Sequence, residues 1–87
     1  MRYYMGESCT DGKSGSKLEY FTLKNKRGYG IEIQQSNCDN PEIATVFGIT
    51  GNQAEINLLA RNFIDGGLKP YQLTDVVDDY LDGKIPD

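Results

Sequence analysis

This 87-residue chain predicts an α+β fold, a four-stranded antiparallel meander sheet followed by two C-terminal helices packed on one face (ββββαα). Three observations carry that reading. Tyr29, Ile31 and Ile33 alternate with Gly30, Glu32 and Gln34, the period of a strand with one dry face and one wet face. Ile56, Leu59, Ala60, Phe63 and Ile64 recur at helical spacing ahead of Gly66-Gly67. In LTDVVDDYLD, Leu73 to Asp82, the residues Leu73, Val76, Val77 and Tyr80 form an apolar stripe, while Asp75, Asp78, Asp79 and Asp82 lie on the opposite side of the same helix.

Each element can be justified in chain order. Arg2 to Ser8, rich in Tyr and Met, and Lys17 to Lys24, KLEYFTLK, have the aromatic and β-prone content of strands. The turn formers TDGKSGS between them are long for a hairpin loop and read as mobile. NKRG is a short connection whose Gly28 can supply the positive φ of a bulged hairpin. Tyr29 to Gln35 is the third strand and SNCDNP a turn, with Pro41 favouring an extended Asn40. Glu42 to Gly48 is a fourth, less regular strand.

The first helix has two candidate caps, Thr50-Gly-Asn-Gln53 and Asn52-Gln-Ala-Glu55. Pro70 suits the first turn of the second helix and Gly83 its end. Two amphipathic helices after a one-sided sheet are accommodated by laying both on its apolar face. Tyr29, Ile31 and Ile33 should then meet Ile56, Leu59, Phe63, Val76, Val77 and Tyr80. No internal repeat, linker or low-complexity stretch divides residues 1–87, which read as one domain.

A chain of this size buries roughly 60–65% of its unfolded surface, which gives one modest core and no deep enclosed cavity. No apolar run nears the ~18 residues of a membrane span, and MRYYMGESC lacks the continuous apolar core of a signal peptide. A cytoplasmic location without membrane attachment is the expectation. Cys9 and Cys38 are then free thiols unless the first and third strands bring them together.

The net charge of −4 is unevenly placed. Residues 1–64 hold seven acids and seven bases, whereas residues 65–87 hold six aspartates against Lys69 and Lys84. A nucleic-acid binder would show a basic face, so direct DNA or RNA binding is not expected.

Most catalytic chemistry lacks its residues here. The chain has no histidine, which removes the commonest general base, the Ser-His and Cys-His nucleophile systems and most zinc sites. No enzyme activity and no cofactor are expected. Hard cations need converging oxygens from a wrapping loop, whereas aspartates on a straight exposed helix diverge, so the row reads as a solvated acidic face and not a metal site. Gly28-Tyr-Gly30 lies between strands and precedes no helix, which makes it hairpin geometry and not a phosphate loop. Lys24, Lys26 and Arg27 read as a solubilising hairpin tip.

Two features point outward. Two of the aspartates fall in the last turn of a helix ending at Gly83, where the dipole disfavours negative charge, which suggests an external reason for them. Leu58 falls nearly opposite Ile56, on the side of Arg61, Asn62 and Asp65. A single exposed leucine is ordinary, but the second helix or a partner could also cover it.

From about Tyr20 onward the chain resembles a family of short uncharacterised bacterial proteins, found mainly in clostridia and their relatives and classed only as a domain of unknown function. GYGIEI, Gly28 to Ile33, and LKPYQLTDVVDDYL, Leu68 to Leu81, carry the resemblance, with the helix-ending glycines and Pro70 alongside. Family members usually place a serine before the proline. Here Lys69 stands there, which puts a side-chain cap in question. The resemblance implies a small cytosolic α+β protein and transfers no catalytic residue.

The expected function is a non-enzymatic protein–protein interaction, with Asp75, Asp78, Asp79, Asp82 and Leu58 as candidate contact residues. The alternative is a phage- or mobile-element-type acidic antagonist of nucleic-acid-handling machinery. Arg2 to Ser8 is the expected free sheet edge, guarded by Arg2 and Glu7, and the chain reads as a monomer or weak homodimer.

Overall fold

Strand-forming residues pair in the order in which the chain presents them. The computed structural model describes residues 2–9, 17–36 and 41–84, with only the backbone of residues 9, 83 and 84. Its strands β1 (Arg2–Cys9), β2 (Lys17–Asn25), β3 (Gly28–Ser36) and β4 (Glu42–Thr50) form one antiparallel sheet in the order β1-β2-β3-β4. They are followed by α1 (Gln53–Gly66), a 3₁₀ turn (Pro70–Gln72) and α2 (Leu73–Lys84). The ββββαα architecture is the expected one. The TDGKSGS loop, the SNCDNP turn and the proximity of Cys9 to Cys38 lie outside the described residues.

Two strand details differ from expectation. The β2–β3 pairing runs without interruption from Lys17↔Ser36 to Asn25↔Gly28, so the hairpin has a two-residue loop and no bulge. Asn25 Oδ1 accepts from the Arg27 N–H at 2.9 Å, and Gly28 takes the positive φ of 121°. The irregularity sits in β4 instead. That strand continues past Gly48 to Thr50, and its register steps from Ile31↔Val46 to Tyr29↔Thr50. Three β4 residues therefore pass opposite Gly30, close enough that a Cβ there would overlap the Val46 carbonyl oxygen.

On the inner face, Leu18 and Tyr20 of β2 and Ile31 and Ile33 of β3 are fully buried. They form one cluster with Ile56, Leu59, Ala60 and Phe63 of α1, and with Leu73 and Val77 of α2. The expected inner stripe is present, but Tyr29, Val76 and Tyr80 stand half-buried at its margin. Each fully buried aliphatic side chain contributes about 1.5–3 kcal/mol. Helix α1 lies mainly across β1, β2 and β3, and α2 lies along β4.

The helix ends follow local chemistry. Asn52 is the cap that forms: its backbone is extended and its Oδ1 accepts from the Glu55 N–H at 3.2 Å. The Glu55 carboxylate accepts from the Thr50 hydroxyl and, at 2.6 Å, from the Tyr80 hydroxyl, tying α2 to the start of α1 and the end of β4. Gly67 closes α1 in a left-handed conformation, with its N–H on Ile64 and that of Leu68 on Phe63. The doubtful cap at Lys69 is replaced from the other direction: Gln72 Oε1 accepts from the Lys69 N–H at 3.1 Å. Beneath this connection the Tyr20 hydroxyl donates to the Leu68 carbonyl at 2.9 Å. Gly83 does not end α2, which continues to Lys84.

Neither α1 nor α2 covers the outer face, yet Phe21 is 9% and Leu23 6% exposed. Register explains the cover. Tyr4, Phe21, Glu32 and Thr45 form one row across the four strands, and Arg2 pairs with Leu23 in the next. Arg2 reaches over β2 from β1. Its guanidinium lies 4.4 Å from the Phe21 ring centroid and its Nη1 lies 2.8 Å from Glu32 on β3. Tyr4 adds an edge-on contact at 5.5 Å. Gln34 donates to Glu32 at 2.6 Å and fixes the carboxylate end of this strap.

Candidate functional site

Helix α2 divides as its sequence requires. Leu73 and Val77 face the core, and Asp75, Asp78, Asp79 and Asp82 are all exposed. Among the described residues none of the four forms an ion pair, and no cluster of three or more acidic, Cys or His side chains could hold a metal ion. The helix boundaries correct one expectation. Asp75 lies in the first turn of α2, where the dipole favours it, so dipole opposition is not a property of the whole row.

Leu58 is 61% exposed, on the expected side of α1 with exposed Arg61, Asn62 and Asp65. The second helix does not cover it, because α2 lies towards β4 and α1 towards β1. Leu58 instead borders an open groove of about 420 Å³ lined by Met5, Asn57, Leu58, Arg61 and Ile64. The helical wheel shows the exposed leucine, but not the opposite wall. That wall depends on Met5 being the extra residue of a bulge, where the β1–β2 register steps from Tyr4↔Phe21 to Gly6↔Tyr20. It also depends on Gly6, where an added Cβ would come within 3.1 Å of Ile64 Cδ1, so α1 lies close against β1.

The outer rim of β1 has no strand partner among the described residues, as expected. Its two charged residues pair across the sheet, Arg2 to Glu32 and Glu7 to Lys17 at 3.2 Å. Outside the candidate set, Ile43 and Phe47 on the other edge strand and Tyr71 before α2 are also exposed.

The tyrosines do not converge on the groove. Tyr20 is fully buried, and burial pushes its hydroxyl pKa up to about 12. Tyr29 packs beside the core under the Lys24 ammonium, 5.7 Å from its ring centroid. Among the described residues no helix is long and apolar enough to cross a membrane.

The model of a family described as "Family of unknown function (DUF6514)" matches residues 1–83, so the likeness takes in β1 as well as the motifs from Tyr20 onward. No curated protein and no solved structure matches the chain.

Proposed function

We propose a role for this chain, which belongs to DUF6514, a family of unknown function, from its surface alone: it is a non-enzymatic domain that acts by binding another protein. The acidic side of α2 is the contact surface. One observation supports this reading: Asp75, Asp78, Asp79 and Asp82 stand in an exposed row without an ion pair among the described residues, while the other side of the helix is committed to the core. Unpaired carboxylates in a row suit a basic protein surface, and such a contact is screened by salt. The same proposal takes in a cytoplasmic setting in a clostridial or related bacterium, no direct nucleic-acid or membrane contact, and a monomer or weak homodimer.

The test compares the native chain with a variant carrying Asp75→Asn, Asp78→Asn, Asp79→Asn and Asp82→Asn. Both are used as bait in host extract at low and high ionic strength. A basic partner held by the native chain, released by salt and missed by the variant, supports the reading. A partner retained by the variant moves the contact elsewhere, and no salt-labile partner reduces the acidic face to solubility.

A further inference from the structure

We propose that the groove between β1 and α1 is a second, separate docking site, which takes an extended peptide of another protein as an added strand. The peptide pairs with the outer rim of β1, places an apolar side chain between Met5, Leu58 and Ile64, and brings a carboxylate to Arg61.

Three observations converge on that occupant. First, among the described strands β1 pairs with β2 alone, so its outer rim beside Met5 and Gly6 has no described strand as neighbour. An extended chain satisfies the N–H and C=O groups of such a rim and a helix does not. The charged residues of β1, Arg2 and Glu7, have ion-pair partners on the neighbouring strands, Glu32 and Lys17. Second, the space beside that rim is shaped for a side chain. Its volume of about 420 Å³ has Met5, Leu58 and Ile64 as apolar walls, and Leu58 would lose most of its exposed surface to an inserted aliphatic or aromatic group.

Third, the groove has a sign. Arg61 is its charged lining residue among the described residues, with Asn57 beside it, and no described acid lines it. Arg61 forms no ion pair among the described residues, not even with Asp65 one turn further along α1. A carboxylate on the incoming strand would supply the missing partner in planar, two-bonded geometry. Charge also argues against a second copy as the occupant. Pairing β1 with the β1 of another molecule would bring two Arg61 side chains to one seam whose described groove lining contains no acid.

The experiment is selection from a phage-displayed library of random linear nine-residue peptides against the full chain. Titration of the selected peptides and amide exchange of β1 follow. The expected result is enrichment of an apolar residue near an acidic one, with slowed exchange at β1 amides when peptide is bound. Leu58→Glu should weaken binding on the order of tenfold or more. Selection against Arg61→Glu should exchange the acidic preference for a basic one. Lys26→Gln, at the exposed tip of the β2–β3 hairpin, should leave the affinity unchanged. Failure to enrich, enrichment without an acidic preference, or binding without protection of β1 overturns the proposal. So does a micromolar homodimer in sedimentation that Leu58→Glu dissolves, because it assigns the groove to a second copy. Neither this selection nor the bait experiment on the aspartates decides the other.

Discussion

Tyr20 and Phe21 are neighbours in β2, and the two faces of the sheet hide them by different means. Tyr20 faces a helical layer, is completely enclosed, and spends its hydroxyl on the Leu68 carbonyl. Phe21 faces away from both helices, and among the described residues Arg2, Tyr4 and the ion pair to Glu32 cover it. The inner face depends on hydrocarbon packing, where single truncations cost about 2–5 kcal/mol. The outer face depends on a cation–ring contact and one ion pair, worth about 0.5–2 kcal/mol at a partly exposed site. A small domain can therefore dry both faces of a sheet with only one layer of helices, and most of its stability should reside on the helical side.

The strongest way to break that contrast is Val77→Asp. Val77 is 2% exposed in the inner cluster, and a carboxylate there would be buried without a partner. A domain of this size has about 5 kcal/mol of stability, so the variant should be unfolded at 25 °C. Val76→Asp, at the half-buried margin, should be destabilised less. A Val77→Asp protein with a cooperative thermal transition by circular dichroism would show that α2 presents a different side to the sheet.

Tyr20→Phe makes a smaller cut in the same face. It leaves the Leu68 carbonyl without its donor and should cost about 1–2 kcal/mol at neutral pH. The native chain has a second signature in alkali. Because the folded-state pKa of Tyr20 is raised from 10.0 to about 12, the unfolded state releases this proton first as pH rises. Its contribution to stability is intact below pH 10 and falls between 10 and 12. Urea unfolding between pH 9 and 12 should show this loss in the native chain and a flatter profile in Tyr20→Phe. Parallel profiles would mean that Tyr20 is not the group responsible.

Legibility in the sequence follows the same division. The inner face could be read because it is periodic: alternation in Tyr29 to Ile33 and helical spacing in α1 and α2 are local signals. The outer face could not. Leu18, Tyr20 and Thr22 fall on one side of β2 and Phe21 and Leu23 on the other, so KLEYFTLK shows no alternation of apolar with polar. Its cover depends on Arg2 and Glu32, thirty positions apart and joined only through the register of three strands. Of the candidate site, the aspartate row and the exposure of Leu58 followed from the helical wheel. The groove beside Leu58 did not, because its other wall is set by the bulge at Met5. Gly48 and Gly83 have the composition of element ends, but β4 runs on to Thr50 and α2 to Lys84.

Removing the strap tests the outer face alone. Arg2→Ala deletes the cation over Phe21 and the partner of Glu32, and should cost about 0.5–1.5 kcal/mol, well below a core truncation. Raising the salt should shrink the ion-pair share of that difference and leave the contact with the ring. A loss as large as that of a buried leucine would mean the outer face is a second core and would remove the distinction between the faces.

The smallest effects belong to the acidic row, and there a difference between two variants is more informative than either alone. Replacing any one aspartate by asparagine relieves like-charge repulsion along α2, which tends to stabilise. Asp75 and Asp82 have the same two acidic neighbours at helical spacing, Asp78 and Asp79, so this relief is similar for both. What differs is position: Asp75 is in the first turn of α2 and Asp82 in the last. Asp82→Asn removes a charge the dipole opposes, and Asp75→Asn removes one it favours. At low ionic strength Asp82→Asn should therefore be the more stable of the pair, by about 0.5–1 kcal/mol in urea titrations. The gap should close as salt screens it. Equal stabilities at low salt would mean that the helix ends do not act on these two carboxylates, and the row would then be shaped only by what lies outside the molecule.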